Sequence, residues 1–68
     1  MRLKDFLKDY VSLNQNIEIY DDAGLFYTGS AQHLLANDSG RSYKSGLYMW
    51  VEHVESIDSD TLGITVSY

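Results

Sequence analysis

The 68-residue chain contains no cysteine and no proline. Without thiols it forms no disulfide, and thiolate zinc sites are excluded as well. Only two histidines are present, which leaves little for any other metal. Basic residues are also scarce. Five stand against ten acidic ones, for a net charge of −5. Sequence-independent binding to DNA or RNA depends on neutralising phosphates with Lys and Arg. The charge therefore disfavours nucleic acid as a direct partner. No apolar run approaches the roughly 20 residues of a membrane-spanning helix. Met1 leads into a charged amphipathic stretch rather than a signal-peptide pattern. The expected compartment is the cytoplasm, with no membrane partner.

A chain this short buries only roughly 60% of the surface its unfolded form exposes. Such a core supplies about 3–5 kcal/mol by itself. With disulfides and metals set aside, self-association or a tightly bound partner is the remaining support. A homodimer is one expectation. The negative charge suits solubility. It also suits an acidic face that engages a basic partner, such as the nucleic-acid groove of another protein.

What is present is an ordered alternation of patterns. Leu3, Phe6, Leu7, Tyr10 and Val11 recur at helical spacing, with Arg2, Lys4, Asp5, Lys8 and Asp9 on the other face. The polar run Asn14, Gln15, Asn16 ends that helix. Ile17 and Ile19 alternate with Glu18 and Tyr20, the period of a half-buried strand. Asp21, Asp22, Ala23 and Gly24 predict a turn, and Leu25 to Thr28 a return strand that Gly29 breaks. Ser30 caps a short helix over Ala31 to Ala36, anchored by Leu34 and Leu35. Asn37 to Gly46 reads as a loop.

Leu47 to Ile57 carries a long strand signal. Leu47, Met49 and Val51 share one parity and Val54 the other, which predicts a bulge near Glu52 and His53. Asp58, Ser59 and Asp60 make a second turn. Leu62, Ile64, Val66 and Tyr68 alternate as the last strand. The fold class is α+β: one domain over residues 1–68, with an N-terminal helix and a four-stranded, mainly antiparallel sheet in the order α-β-β-α-β-β. The expected core is Leu3, Phe6, Leu7, Ile17, Ile19, Leu34, Leu35, Val51, Leu62, Ile64 and Val66.

No residue set forms a catalytic or metal motif, so neither an enzyme nor a cofactor is expected. His33 and His53 have no metal-ligand spacing with their acidic neighbours. Asp21-Asp22 and Asp58-Ser59-Asp60 lack the twelve-residue continuation of a calcium loop. The serines have no nucleophile context, and the five glycines form no phosphate-binding loop.

Aromatics are the informative excess: six Tyr, two Phe and one Trp. Tyr48 and Trp50 have the parity opposite to Leu47, Met49 and Val51. Tyr20 has the parity opposite to Ile17 and Ile19. All three are expected on the outer face of the sheet. There they serve either as cross-strand partners or as anchors for another protein. The candidate partner-binding residues are Tyr20, Tyr48 and Trp50, with Asp21, Asp22, Asp58 and Asp60 for steering. The four aspartates form one acidic edge only if both turns lie at the same end of the sheet, which the sequence leaves open.

The segments LKDFLKDY, NIEIYDDAGLFYTGSAQHLL and WVEHVESIDSDTLGITVSY together resemble the short open reading frames common in phages and prophages of Gram-positive bacteria. The resemblance covers most of the chain and rests on spacing patterns. It implies a small accessory protein expressed in an infected cell, a class that includes inhibitors of host defence and DNA-processing proteins. The expected function is a non-enzymatic protein-binding module of this kind. The alternative is a structural homo-oligomer or assembly subunit whose aromatic face is its own interface. A nucleic-acid-associated regulator ranks third because of its charge.

Overall fold

The computed structural model describes residues 1–36 and 46–68. The element order is α1 (Leu3–Tyr10), β1 (Asn16–Asp21), β2 (Gly24–Ser30), α2 (Ala31–Ala36), β3 (Trp50–Ser56) and β4 (Thr61–Ser67). The four strands form one sheet in the spatial order β2-β1-β4-β3. The two hairpins are antiparallel, and the central β1–β4 pair is parallel. The sheet is therefore mixed. Each hairpin contributes one inner and one edge strand.

The central pair carries the core. Ile17 lies beside Leu62 and Ile19 beside Ile64. Ile17, Ile19, Ile64 and Val66 are buried, as are Leu3 and Leu7 of α1 and Leu34 of α2. Phe6, Leu35, Val51 and Leu62 pack against this cluster half-buried. Every residue expected in the core is thus part of it. Val11, Tyr27, Ala31, Leu47 and Met49 complete it. Tyr10 does not take part: it is 70% exposed and only leans on Phe6, ring centroids 5.9 Å apart. It is the last residue of α1, and Val11 beyond it is already extended, so the chain leaves the helix there.

The helices are tied down by backbone groups. The amides of Ala31 and Gln32 donate to the carbonyls of Gln15 and Leu13, at 2.9 and 2.7 Å. The His33 amide donates to Ser30 Oγ at 3.0 Å, the expected cap. The first turn of α2 is thereby satisfied by its own cap and by the loop that follows α1. At the other side, the Leu3 amide donates to the Met49 carbonyl and the Val51 amide to the Met1 carbonyl. Residues 1–3 thus run along the outer edge of the start of β3.

Both edge strands are bulged. The predicted bulge in β3 lies between Val51 and His53. A second one, unforeseen, lies opposite Ile19 and Tyr20, where Phe26 is the extra residue of β2. It lets Phe26 pack on the core beside Tyr27 and turns Leu25 outward. Gly29 does not end β2, as its glycine suggested. The strand runs through it at φ 149°, and the Tyr27 ring folds over the missing side chain. The Tyr27 hydroxyl donates to the Ser30 carbonyl at 2.9 Å. Among the described residues no helix is long and apolar enough to cross a membrane.

Two glycines separate backbone strain from packing. A Cβ at Gly29 would sit 2.7 Å from the Tyr27 hydroxyl, whereas one at Gly24, at φ 118°, would meet nothing within 4 Å. Gly29→Ala is expected to cost more than Gly24→Ala in urea unfolding. Each carries about 1–3 kcal/mol of backbone strain, and only the first adds a clash. Equal midpoints for the two variants would refute this account of the β2 edge.

Candidate functional site

Both helices lie on the core side of the sheet, and among the described residues nothing covers the other face. The ladder registers place its side chains in rows. One row runs Thr28, Glu18, Gly63, Glu55 from β2 to β3, and the next runs Leu25, Tyr20, Thr65, His53. Beyond these, Ser67 is paired with Trp50. The β3 bulge decides part of this: without the extra residue, His53 and Glu55 would point into the core.

Trp50 is 45% exposed, and the guanidinium of Arg2 stacks on its ring, 4.5 Å from the centroid. The same guanidinium donates to the Tyr48 carbonyl. Contacts of this kind contribute about 0.5–1 kcal/mol at an exposed site. Their larger consequence here is that the orientation of the indole is held by the chain's own contacts. Tyr20 lies on the same face, two strand spacings of about 5 Å each from the β3 line. Leu25 beside it is 56% exposed. The Ile57 side chain reaches the bare surface over Gly63, where a Cβ would stand 2.9 Å from its Cδ1.

The charges of this face are mostly negative. The Tyr20 hydroxyl donates to Glu18 Oε1, and the Ser67 hydroxyl donates to the Glu52 carboxylate. Glu55 Oε1 lies 4.0 Å from His53 Nε2, both well exposed. The Tyr20 phenol is pushed above its ordinary value of 10.0, first by the hydrogen bond to Glu18, then by desolvation and by the charges of Glu18 and Glu55. Both carboxylates therefore act on one phenol from opposite sides of β4. Arg2 at the Trp50 corner is the cation that accompanies them.

The expected site residues are only partly brought together. Tyr20 and Trp50 share the outer face as expected. Tyr48 does not stand in a strand: β3 begins at Trp50, and Tyr48 lies in the turn closed by the Met49 amide on the Gly46 carbonyl. It is 44% exposed, with Lys4 Nζ 5.7 Å from its ring centroid. The four aspartates form no common edge. Because β1 and β4 are parallel, the turn after β1 and the turn before β4 lie at opposite ends of the sheet. Asp21 Oδ1 and Asp58 Oδ1 each accept an amide of their own turn at 2.8 Å, from Ala23 and Asp60. These two are engaged in turn geometry. The acidic character belongs instead to Glu18, Glu52 and Glu55, which composition alone did not single out. The signal was available in parity: Glu18 alternates with Ile17 and Ile19, and the bulge read near Glu52 sets the phase of Glu55.

Among the described residues no three His, Cys, Asp or Glu side chains converge as a metal site. The helix side has a shallow groove of about 430 Å³ lined by Lys4, Lys8, Val11, Leu13 and Leu35. No family model, curated protein or solved structure matches the chain.

The Tyr20 environment has a pH consequence. The raised folded value means the native state keeps the phenolic proton longer than the unfolded chain does. The associated stability is complete below the unfolded tyrosine value and is lost as pH rises through the folded one. Glu18→Ala, which removes both the acceptor and the charge, is expected to move the Tyr20 transition back toward the ordinary value. The check is tyrosinate absorbance, with Tyr20→Phe subtracted. An unmoved transition would mean that Glu18 is not the cause.

Proposed function

We propose that the chain is a non-enzymatic protein-binding module working in the cytoplasm, and that its partner docks on the uncovered face of the sheet. The observation that carries this is Trp50: a large aromatic, nearly half exposed, held by Arg2 on a face that no helix among the described residues covers. Tyr and Trp combine large contact area with few rotatable bonds, which is why they dominate binding energy at interfaces. Tyr20 and Leu25 extend the apolar surface along the same face.

The face is favoured over the edges. An edge strand recruits another strand when it is straight and unpaired. Here β2 and β3 are both bulged, and residues 1–3 already occupy the start of the β3 edge. In the phage-like reading the partner is a host defence or DNA-processing protein, and the module acts by occupying its surface.

The second reading is that a copy of the same chain takes the partner's place. The half-exposed Trp50, Leu25 and Ile57 in so small a domain favour it. Sedimentation at micromolar concentration separates the two: a monomer removes the homo-oligomer.

Affinity capture with the tagged protein tests the leading reading. Trp50→Ala combined with Tyr20→Ala is expected to abolish recovery of a specific partner while far-ultraviolet dichroism stays native. Tyr10→Ala, equally aromatic but on α1, is expected to leave recovery intact. Undiminished capture by a folded Trp50/Tyr20 variant would refute the docking face.

A further inference from the structure

Charge is unevenly divided across the sheet. The described cations, Arg2, Lys4 and Lys8, all belong to α1 or its first flanking residue. The open face carries Glu18, Glu52 and Glu55, which belong to three separate positions of two strands joined through β4. Glu18 and Glu55 stand on either side of Gly63 in one row, about 10 Å apart by strand spacing. Ile57 lies between them over the glycine, and Tyr20, Leu25 and Trp50 fill the adjoining rows. The face is thus a mainly apolar and aromatic strip, interrupted by Thr65 and His53, with carboxylates on both sides.

Resting on the protein-binding reading above, we infer that the surface seated on this face is cationic and amphipathic: a protein segment that presents Arg or Lys beside leucine-like or aromatic side chains. Charge complementarity selects this partner. An acidic or neutral segment would leave three carboxylates facing like charge or losing water without compensation. A cationic segment meets them at the rim of the strip, where ion pairs remain partly solvated and set encounter rate and specificity. Its apolar side chains then cover Trp50, Leu25 and Ile57. Arg2, stacked on Trp50 at the corner of the face, sets one positive charge against the three carboxylates and leaves the face net negative.

The test uses the full chain and two synthetic helical peptides with the same leucine face, one with arginine on the polar face and one with glutamate. The arginine peptide is expected to bind, to weaken with added salt, and to shift the amide resonances of Tyr20, Thr65 and Trp50. The variant Glu18→Gln/Glu52→Gln/Glu55→Gln keeps the acceptors for Tyr20 and Ser67. It is expected to bind the arginine peptide about tenfold more weakly, with unchanged thermal stability. Equal binding of the two peptides, no binding of the arginine peptide, undiminished affinity of the variant, or shifts confined to α1 and α2 would each overturn the inference. Its failure is distinguishable from failure of the underlying reading. A partner captured through Trp50 and still captured by the glutamine variant leaves the docking face standing and removes only the cationic partner.

Discussion

The parallel contact between β1 and β4 is the constraint on which the rest depends. It joins two hairpins that would each be marginal alone. It sets Ile17 against Leu62 and Ile19 against Ile64, so three fully buried isoleucines lie along one seam. Fully burying each such side chain contributes about 1.5–3 kcal/mol. In a domain without cysteine, and so without disulfides, that seam and the two helices pressed on it are the main source of stability. Residues 13–15 add to it from the side. Gln15 meets both hairpins: its carbonyl accepts the Ala31 amide that follows β2, and its side chain donates to the Asp60 carbonyl at 2.7 Å.

The same contact distributes the charge. Placing β1 and β4 in the same direction sends the two aspartate turns to opposite ends and divides what composition presents as one acidic reserve. The glutamates, by contrast, are gathered on one face, because Gly63 of β4 brings Glu18 and Glu55 into a single row. A side chain at that position would fill the row and displace Ile57. Electrostatic character here is a product of topology acting on an ordinary number of acidic residues.

The bulges do comparable work on the edges. In β2 the extra residue lets two successive aromatics, Phe26 and Tyr27, face the core and releases Leu25 to the outside. In β3 it turns His53 and Glu55 outward and keeps Val54 opposite Ile64. Both also bend the two edge strands, which makes each a poorer template for another chain's strand. With the edge strands bent and the helices on one side, the outer sheet face is left uncovered among the described residues, with Trp50 held at its corner by Arg2.

The sequence by itself determined the local pattern: where α1 and α2 lie, the cap at Ser30, both turns, the β3 bulge, and much of the core, though not Val11, Tyr27, Ala31, Leu47 and Met49. These follow from periodicity and turn chemistry between near neighbours. Its reading of Asn37 to Gly46 as a loop lies, for residues 37–45, outside the described residues. It overextended β3 back to Leu47, because the alternation Leu47, Met49, Val51 looks the same whether residues 47–49 form a strand or a turn with two buried side chains. It missed the β2 bulge, since Phe26 and Tyr27 are both good strand residues and only the register with β1 shows which is extra. Only the tertiary structure decided the parallel central pair, the separation of the aspartate turns and the row that joins Glu18 to Glu55. Strand direction and register depend on contacts between residues more than forty positions apart, and local preference carries no information about them.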